Sequence, residues 1–134
     1  YEEVVKPGSL PRVVPSQQEA QMSGTTAYAD EVRRVRAIGV ETGDIAQVTG
    51  AEKGTVTAWA RADRRPAGEY RNRLLELVSL IERLSRVMDQ GYIPLWLNKP
   101  VPALDDKRPI EALAKGRYRE VSRLVSELEN DSFS

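Results

Sequence analysis

The chain has 134 residues, a formal net charge of zero from 20 acidic and 20 basic side chains, and no cysteine or histidine. These absences exclude disulfides, thiolate metal ligands and a Ser-His-Asp catalytic triad. No apolar run approaches the roughly 20 residues of a membrane span, and the first residues lack the basic and apolar regions of a secretory signal peptide. We therefore expect a globular, cytoplasmic protein without membrane contact, metal or cofactor.

The first 25 residues differ in composition from the rest. Residues 1–25 contain several prolines and polar residues without a sustained hydrophobic period, which predicts a flexible N-terminal arm. The first helix is predicted over residues 27–38, with Thr26 as its N-cap and Gly39 as its stop. Its apolar residues fall on one stripe: Tyr28, Val32, Val35 and Ile38.

Two short helices, residues 43–49 and 52–61, follow on either side of Gly50. A helix-turn-helix needs a small residue inside its first helix and a turn residue that tolerates unusual dihedral angles, and Ala46 and Gly50 meet these needs. The inner faces carry Ile45, Val56 and Trp59. The spacing predicts a helix-turn-helix DNA-binding domain over residues 26–68, and a plain helical hairpin in a core is the alternative.

The second of these helices and the loop after it carry the predicted DNA contacts: Lys53, Thr55, Thr57, Arg61, Arg64 and Arg65. The lysine and threonines would meet base edges, whereas the arginines lie where phosphates would be; a solvated basic loop is their alternative interpretation. Gly54 departs from the pattern because glycine costs a helix about 1 kcal/mol relative to alanine. The zero net charge favours a dimer that reads two half-sites.

The remaining segments are also predicted to be helical. A long helix over residues 68–88 carries a continuous apolar seam, formed by Tyr70, Leu74, Leu77, Ile81, Leu84 and Met88. Gly91 closes it, and residues 93–97 predict a short buried helical turn. A helix over 109–114 starts at a proline and is stopped by Gly116, and the last helix spans 117–129. Residues 69–134 are therefore a predicted helical interaction and dimerisation domain of an all-α protein.

Residues 96–104 (WLNKPVPAL), 109–113 (PIEAL), 116–118 (GRY) and Val121 resemble the toxin-binding domain of the Xre/MbcA/ParS antitoxin family. The preceding helix-turn-helix is of the Xre-like type found in that family, and the resemblance extends from Tyr28 to the end. It implies an antitoxin whose partner is a RES-domain toxin, an enzyme that consumes NAD. It further implies a homodimer or a larger hetero-oligomer with the toxin, an active-site entrance covered by the C-terminal helix and final residues, and repression of its own operon at operator DNA.

By position, the resemblance implies six toxin-binding residues: Arg117, Tyr118, Glu120, Glu129, Asn130 and Phe133. Phe133 could be an apolar anchor or a frayed end without a role. Four other motif residues are interpreted as structural, namely Trp96 and Leu104 in the core, Pro109 as a helix start and Gly116 as a helix stop.

Other function classes were weighed on the same residues. Asp105-Asp106 and Glu2-Glu3 are the obvious paired carboxylates, and the first pair is better explained as part of a solvated loop. No phosphate-binding loop, dinucleotide fingerprint or metal-ligand cluster is present in the sequence. We therefore expect no enzyme. Two alternatives remain: a stand-alone Xre-type transcriptional regulator without a toxin partner, and a helical protein-interaction module that does not bind DNA.

Overall fold

The computed structural model describes residues 16–133 of the chain, with side chains from 24 to 131. This part contains seven α-helices, two single-turn 3₁₀ helices (Gln90–Tyr92 and Pro102–Leu104) and no strand. The predicted all-α fold is confirmed. The α-helices are α1 (Ser16–Ala37), α2 (Thr42–Thr49), α3 (Lys53–Ala60), α4 (Gly68–Ser85), α5 (Ile93–Leu97), α6 (Pro109–Ala114) and α7 (Tyr118–Phe133).

The first helix starts earlier than predicted. It begins at Ser16 and not at residue 27, so Thr26 is an internal helical residue and not an N-cap. The sequence explains the difference, because residues 16–22 (SQQEAQM) are mostly good helix formers that directly follow Pro15. Residues 16–25, expected in the flexible arm, are thus helical, whereas residues 1–15 lie outside the described part.

The two short helices have nearly the predicted bounds. α2 ends at a turn where Gly50 adopts a left-handed φ of 84° and its N–H donates to Ala46 O at 2.8 Å. A side chain at Gly50 would be strained in that conformation, which explains why the turn uses glycine. Ile45, Val56 and Trp59 are fully buried, as the helix-turn-helix pattern requires.

The long helix α4 ends at Ser85, three positions before its predicted end at Met88. The chain continues as a tighter turn, because Arg86 and Val87 donate to carbonyls only three residues back. Met88 still donates to Leu84 O at 3.0 Å, so the predicted seam continues past the regular helix. At the other end Tyr70 is 46% exposed rather than part of the core, and its ring lies 6.1 Å from that of Trp59.

The C-terminal elements follow the predicted order. α5 buries Ile93 and Leu97, and α6 has its predicted bounds, with the Arg108 N–H donating to Glu111 Oε1 at 2.9 Å across its first turn. α7 starts one residue later than predicted and continues to Phe133 instead of ending at residue 129, since no glycine or proline follows to stop it.

One hydrophobic core joins all these elements. α2 packs against α3, α4 and α6, and α4 also contacts α7, so the core runs without a break from Val32 of α1 to Val125 of α7. The predicted boundary between residues 68 and 69 coincides with the start of α4, which contributes to the core on both sides. Within residues 16–133, no helix has the length and apolarity needed to cross a membrane.

Candidate functional site

The outer face of α3 carries part of the predicted DNA site. Lys53, Thr57 and Arg61 follow one another at intervals of four and so share one face, while Val56 and Trp59 are buried beneath. Thr55 lies off this stripe and is half-buried. The stem of Lys53 covers α2, because a β-carbon built on Gly43 would lie 3.3 Å from Lys53 Cε. The structure therefore brings three of the six predicted contacts into one row.

The other two predicted DNA contacts, Arg64 and Arg65, lie in the exposed loop after α3. Arg65 turns towards α1, where its Nη1 lies 3.3 Å from a β-carbon built on Gly24. Ala62, at the start of this loop, has a left-handed φ of 63°, so the backbone reverses sharply after α3. The loop arginines therefore flank the row on α3 without belonging to it.

Two further arginines, on α1, were not assigned to the DNA site from the sequence. Arg33 and Arg36 line an open cleft of about 610 Å³ together with Thr57 and Arg61. Arg33 Nε donates to Ala60 O at 2.7 Å, a bond that ties α1 to the end of α3. The contact joins residues 27 positions apart, so no local sequence signal could have revealed it.

Of the predicted toxin contacts, the first two charged residues bind each other. Arg117 Nη2 lies 2.5 Å from Glu120 Oε1, and Arg117 Nε donates to Glu120 Oε2 at 2.9 Å. This bidentate hydrogen bond raises the pKa of Arg117 and lowers the pKa of Glu120. Asp105 Oδ2 lies 3.5 Å from Arg117 Nη2 as a second anionic neighbour. The start of α7 is therefore an ion-paired cluster.

Tyr118, the third predicted toxin contact, lies against α4. It is half-buried and lines a shallow depression of about 410 Å³ with Leu75 and Glu76 of that helix. Leu75 is an exposed apolar side chain, and burial raises the pKa of Glu76. The tyrosine therefore packs against the edge of the core and lines a mixed apolar and polar surface.

Glu129, the fourth predicted toxin contact, forms an ion pair with Arg83 of α4. Arg83 Nη2 donates to Glu129 Oε1 at 2.8 Å and Nε donates to Oε2 at 3.1 Å. The same guanidinium donates to Ser122 Oγ at 2.7 Å and to Ser126 Oγ at 2.9 Å. The hydrogen bond lowers the pKa of Glu129 and raises that of Arg83. Arg83 fixes α7 against α4, a role that was not predicted from the sequence.

The last two predicted contacts lie near the end of α7. Asn130 is exposed, and Phe133 is the final helical residue, with its side chain outside the described part. The six predicted residues are thus spread from Arg117, just before α7, to Phe133 at its end. They do not form one cluster.

Three of the four motif residues interpreted as structural lie where they were expected, and the fourth does not. Leu104 is buried, Pro109 is the first residue of α6, and Gly116 has a left-handed φ of 80° after that helix. Trp96 is only half-buried, which corrects its expected place in the core. It lines a groove of about 160 Å³ with apolar residues Val101, Leu124 and Leu128. Pro94 lies in the first turn of the five-residue helix α5, and Pro100 follows its end.

Arg73 of α4 explains why Gly116 is required. Its Nη1 donates to Leu113 O at 2.9 Å and to Ala114 O at 3.1 Å, which satisfies carbonyls at the end of α6. A β-carbon built on Gly116 would lie 3.0 Å from Arg73 Nη2. Sequence inspection found the glycine but not the arginine, because their contact spans two distant helices.

The paired carboxylates considered for catalysis lie in a turn. Asp105 and Asp106 are exposed and have left-handed φ angles of 59° and 63°. Among residues 24–131, no three acidic side chains gather as metal ligands would. Glu2 and Glu3 lie outside the described residues.

Comparisons with known proteins agree on one family. The chain is 33% identical to the probable mycobacterial cidal antitoxin Rv3188 of Mycobacterium tuberculosis over 90 residues, 67% of this chain and 76% of the relative. It is 20% identical to the mycobacterial cidal antitoxin MbcA of Mycobacterium bovis and of M. tuberculosis, over 74% of this chain and 88% of the relative. No protein-family model matches the sequence.

A solved structure shows the same fold. A chain in the crystal structure of the M. tuberculosis MbcT–MbcA toxin–antitoxin complex matches with a TM-score of 0.67 and 20% identity, over 77% of this chain and 94% of that one. The relatives are named as antitoxins, in agreement with the prediction that the chain is not an enzyme. The level of identity and coverage shows that the chain belongs to the family of mycobacterial cidal antitoxins of the MbcA type.

Proposed function

We propose that this chain neutralises a RES-domain, NAD-consuming toxin by covering its active site and that it represses its own operon through the helix-turn-helix. The observation that carries the proposal is membership of an antitoxin family, with a fold like that of a chain in a toxin–antitoxin complex. The proposed assembly is a dimer, or a larger complex with the toxin, on operator DNA.

The dimensions of α7 suit a covering role. Its 16 residues give a length of about 24 Å, enough to lie across the mouth of an enzyme pocket. Arg117, Tyr118 and Glu120 lie at one end, whereas Asn130 and Phe133 lie at the other. A helix held over the pocket would compete with substrate for the same space.

The proposed toxin contact is tested by deleting residues 130–134. This truncation removes Asn130 and Phe133 but leaves the bond between Arg83 and Glu129, so α7 should keep its place. We expect NAD consumption by the toxin encoded beside this chain to reappear on co-expression, while operator binding remains. Full protection of cells by the truncated form would show that the tail is not the inhibitory element.

The proposed repression is tested with Lys53→Ala combined with Arg65→Ala. Both side chains are exposed, so the variant should fold, bind the toxin and bind operator DNA at least several-fold more weakly. The control is Lys99→Ala with Lys115→Ala, which removes two exposed charges from the C-terminal region. Equal operator affinity in both variants would place the recognition surface elsewhere.

A further inference from the structure

We propose that Arg33 and Arg36 of α1, together with Arg61, form a seat for backbone phosphates of duplex DNA beside α3. This inference rests on the proposed DNA binding and adds α1 to that site. Neither arginine of α1 belongs to the helix-turn-helix itself.

The charged residues that line the cleft are all basic. Its lining consists of three guanidinium groups, the Thr57 hydroxyl and the small apolar side chains of Ala37 and Ala60, with no carboxylate. The side chains of Arg36 and Arg61 have no hydrogen-bond or ion-pair partner among the described residues. Arg36 and Arg61 thus place two cationic side chains at one cleft without a counter-ion, which is unfavourable in the free protein, and an anion in the cleft would relieve it.

Arg33 is anchored in a way that leaves it able to bind. Its Nε is fixed by Ala60 O, and its contact with Asp30 Oδ1 is 3.4 Å long between two side chains that are more than half exposed. Such a surface pair contributes little and exchanges readily with solvent or a ligand. Among the described residues the hydrogen bonds of Arg33 use Nε and Nη1 and leave Nη2 open to a ligand.

The shape of the cleft favours a polymer backbone over a small molecule. It is open to solvent, and its lining includes Thr57 and Arg61 of the outer face of α3. Phosphates that flank bases read by α3 would therefore reach it directly. The adjoining depression on the other side of Arg36 contains the exposed carboxylate of Glu41, which would repel phosphate. This difference favours the cleft that Arg36 shares with α3 as the binding site for backbone phosphates.

The test uses Arg36→Ala, with Arg34→Ala as a matched control on the same helix. Arg34 is also exposed, and its replacement by alanine removes the same charge. It pairs with Glu31, however, and lines the groove between α1 and α4. Operator binding is measured against salt concentration, with the upstream duplex and an unrelated duplex of equal length. Circular dichroism checks that each variant is folded.

We expect Arg36→Ala to reduce the slope of log affinity against log salt by about 1 for both duplexes, without changing the ratio of their affinities. Arg36→Lys should retain the slope, and Arg34→Ala should match the wild type. Equal slopes for Arg36→Ala and wild type would overturn this inference and leave DNA binding intact. Wild-type protein that binds neither duplex would remove both proposals, and a loss limited to the operator duplex would indicate base recognition and overturn the phosphate seat.

Discussion

The cleft between α1 and α3 and the surface of the last helix differ in how their charged side chains are paired. At the cleft between α1 and α3, the side chains of Arg36 and Arg61 have no partner among the described residues. At the last helix, Glu120 and Glu129 of α7 and Arg117 just before it are already bonded within the chain. An unpaired charge can meet a ligand without breaking an internal bond, whereas a paired one must first exchange its partner. Charge alone therefore does not identify a binding residue.

The largest expected effect comes from a test of whether the two regions unfold separately. Trp59→Ala removes a fully buried side chain from α3 and should lower the free energy of unfolding by about 3–5 kcal/mol. Trp96 is then the single tryptophan left. Because the core is continuous, fluorescence of Trp96 and far-ultraviolet circular dichroism should report one shared transition.

Trp59→Phe is the control for Trp59→Ala and should lose less stability, since it keeps most of the buried area. A Trp96 transition that stays at its wild-type denaturant concentration while helicity is partly lost would show two independent regions. The comparison would then be between separate domains and not between two surfaces of one core.

The second largest effect should come from Arg83→Ala in the paired region. The change leaves Glu129, Ser122 and Ser126 without their shared donor, so we expect unfolding to become easier by about 1–2 kcal/mol. Arg119→Ala, which removes an exposed arginine from α7, should have almost no effect. Chemical denaturation measures both, and similar losses would contradict a structural role for Arg83.

Gly116 and Gly54 differ in the space around them, so replacing each by alanine should change the stability in opposite directions. Gly116→Ala should cost about 1–2 kcal/mol, because φ is 80° and the new β-carbon would meet Arg73 Nη2 at 3.0 Å. Gly54→Ala on α3 meets nothing within 4 Å and should instead stabilise the protein by about 0.5–1 kcal/mol. The melting temperatures of both variants show whether each change stabilises or destabilises the protein. A lower melting temperature for Gly54→Ala would contradict the open space around Gly54.

The smallest effect concerns pH. Arg83 holds the pKa of Glu129 below its ordinary value of 4.5, so the folded state binds this proton less readily than the unfolded chain. The pair therefore contributes stability above about pH 4.5 and loses it as the pH falls towards the lowered pKa. Glu129→Gln should flatten the decline of stability in acid, whereas Glu127→Gln, at an exposed position, should follow the wild type.

Much of the helical fold was predictable because its signals are local. Gly50 and Ala46 marked the turn between α2 and α3, and Pro109 and Gly116 marked the limits of α6. The end of α4 was harder, since a gradual change to tighter hydrogen bonds leaves no breaker residue at Ser85. The start of α1 was missed because several prolines obscured the helix formers that follow them.

The sites were less predictable because their contacts join distant parts of the chain. Arg83 and Glu129 are 46 residues apart, and Arg73 reaches carbonyls 40 and 41 residues away. A hydrophobic period places a residue on a helix face but does not say which helix lies opposite. The sequence thus identified Glu129 and Arg117 as charged positions on α7 without revealing that each already had a partner.

The position of α2 has a consequence for protein engineering. Its buried side packs on α4 and α6 as well as on α3, so a cut between residues 68 and 69 would divide an apolar contact instead of freeing a module. A chimera that joins residues 69–134 to an unrelated helix-turn-helix would need a compatible surface on the donor's corresponding helix. Exchange of halves between relatives should therefore succeed only when the residues facing α6 are transferred together.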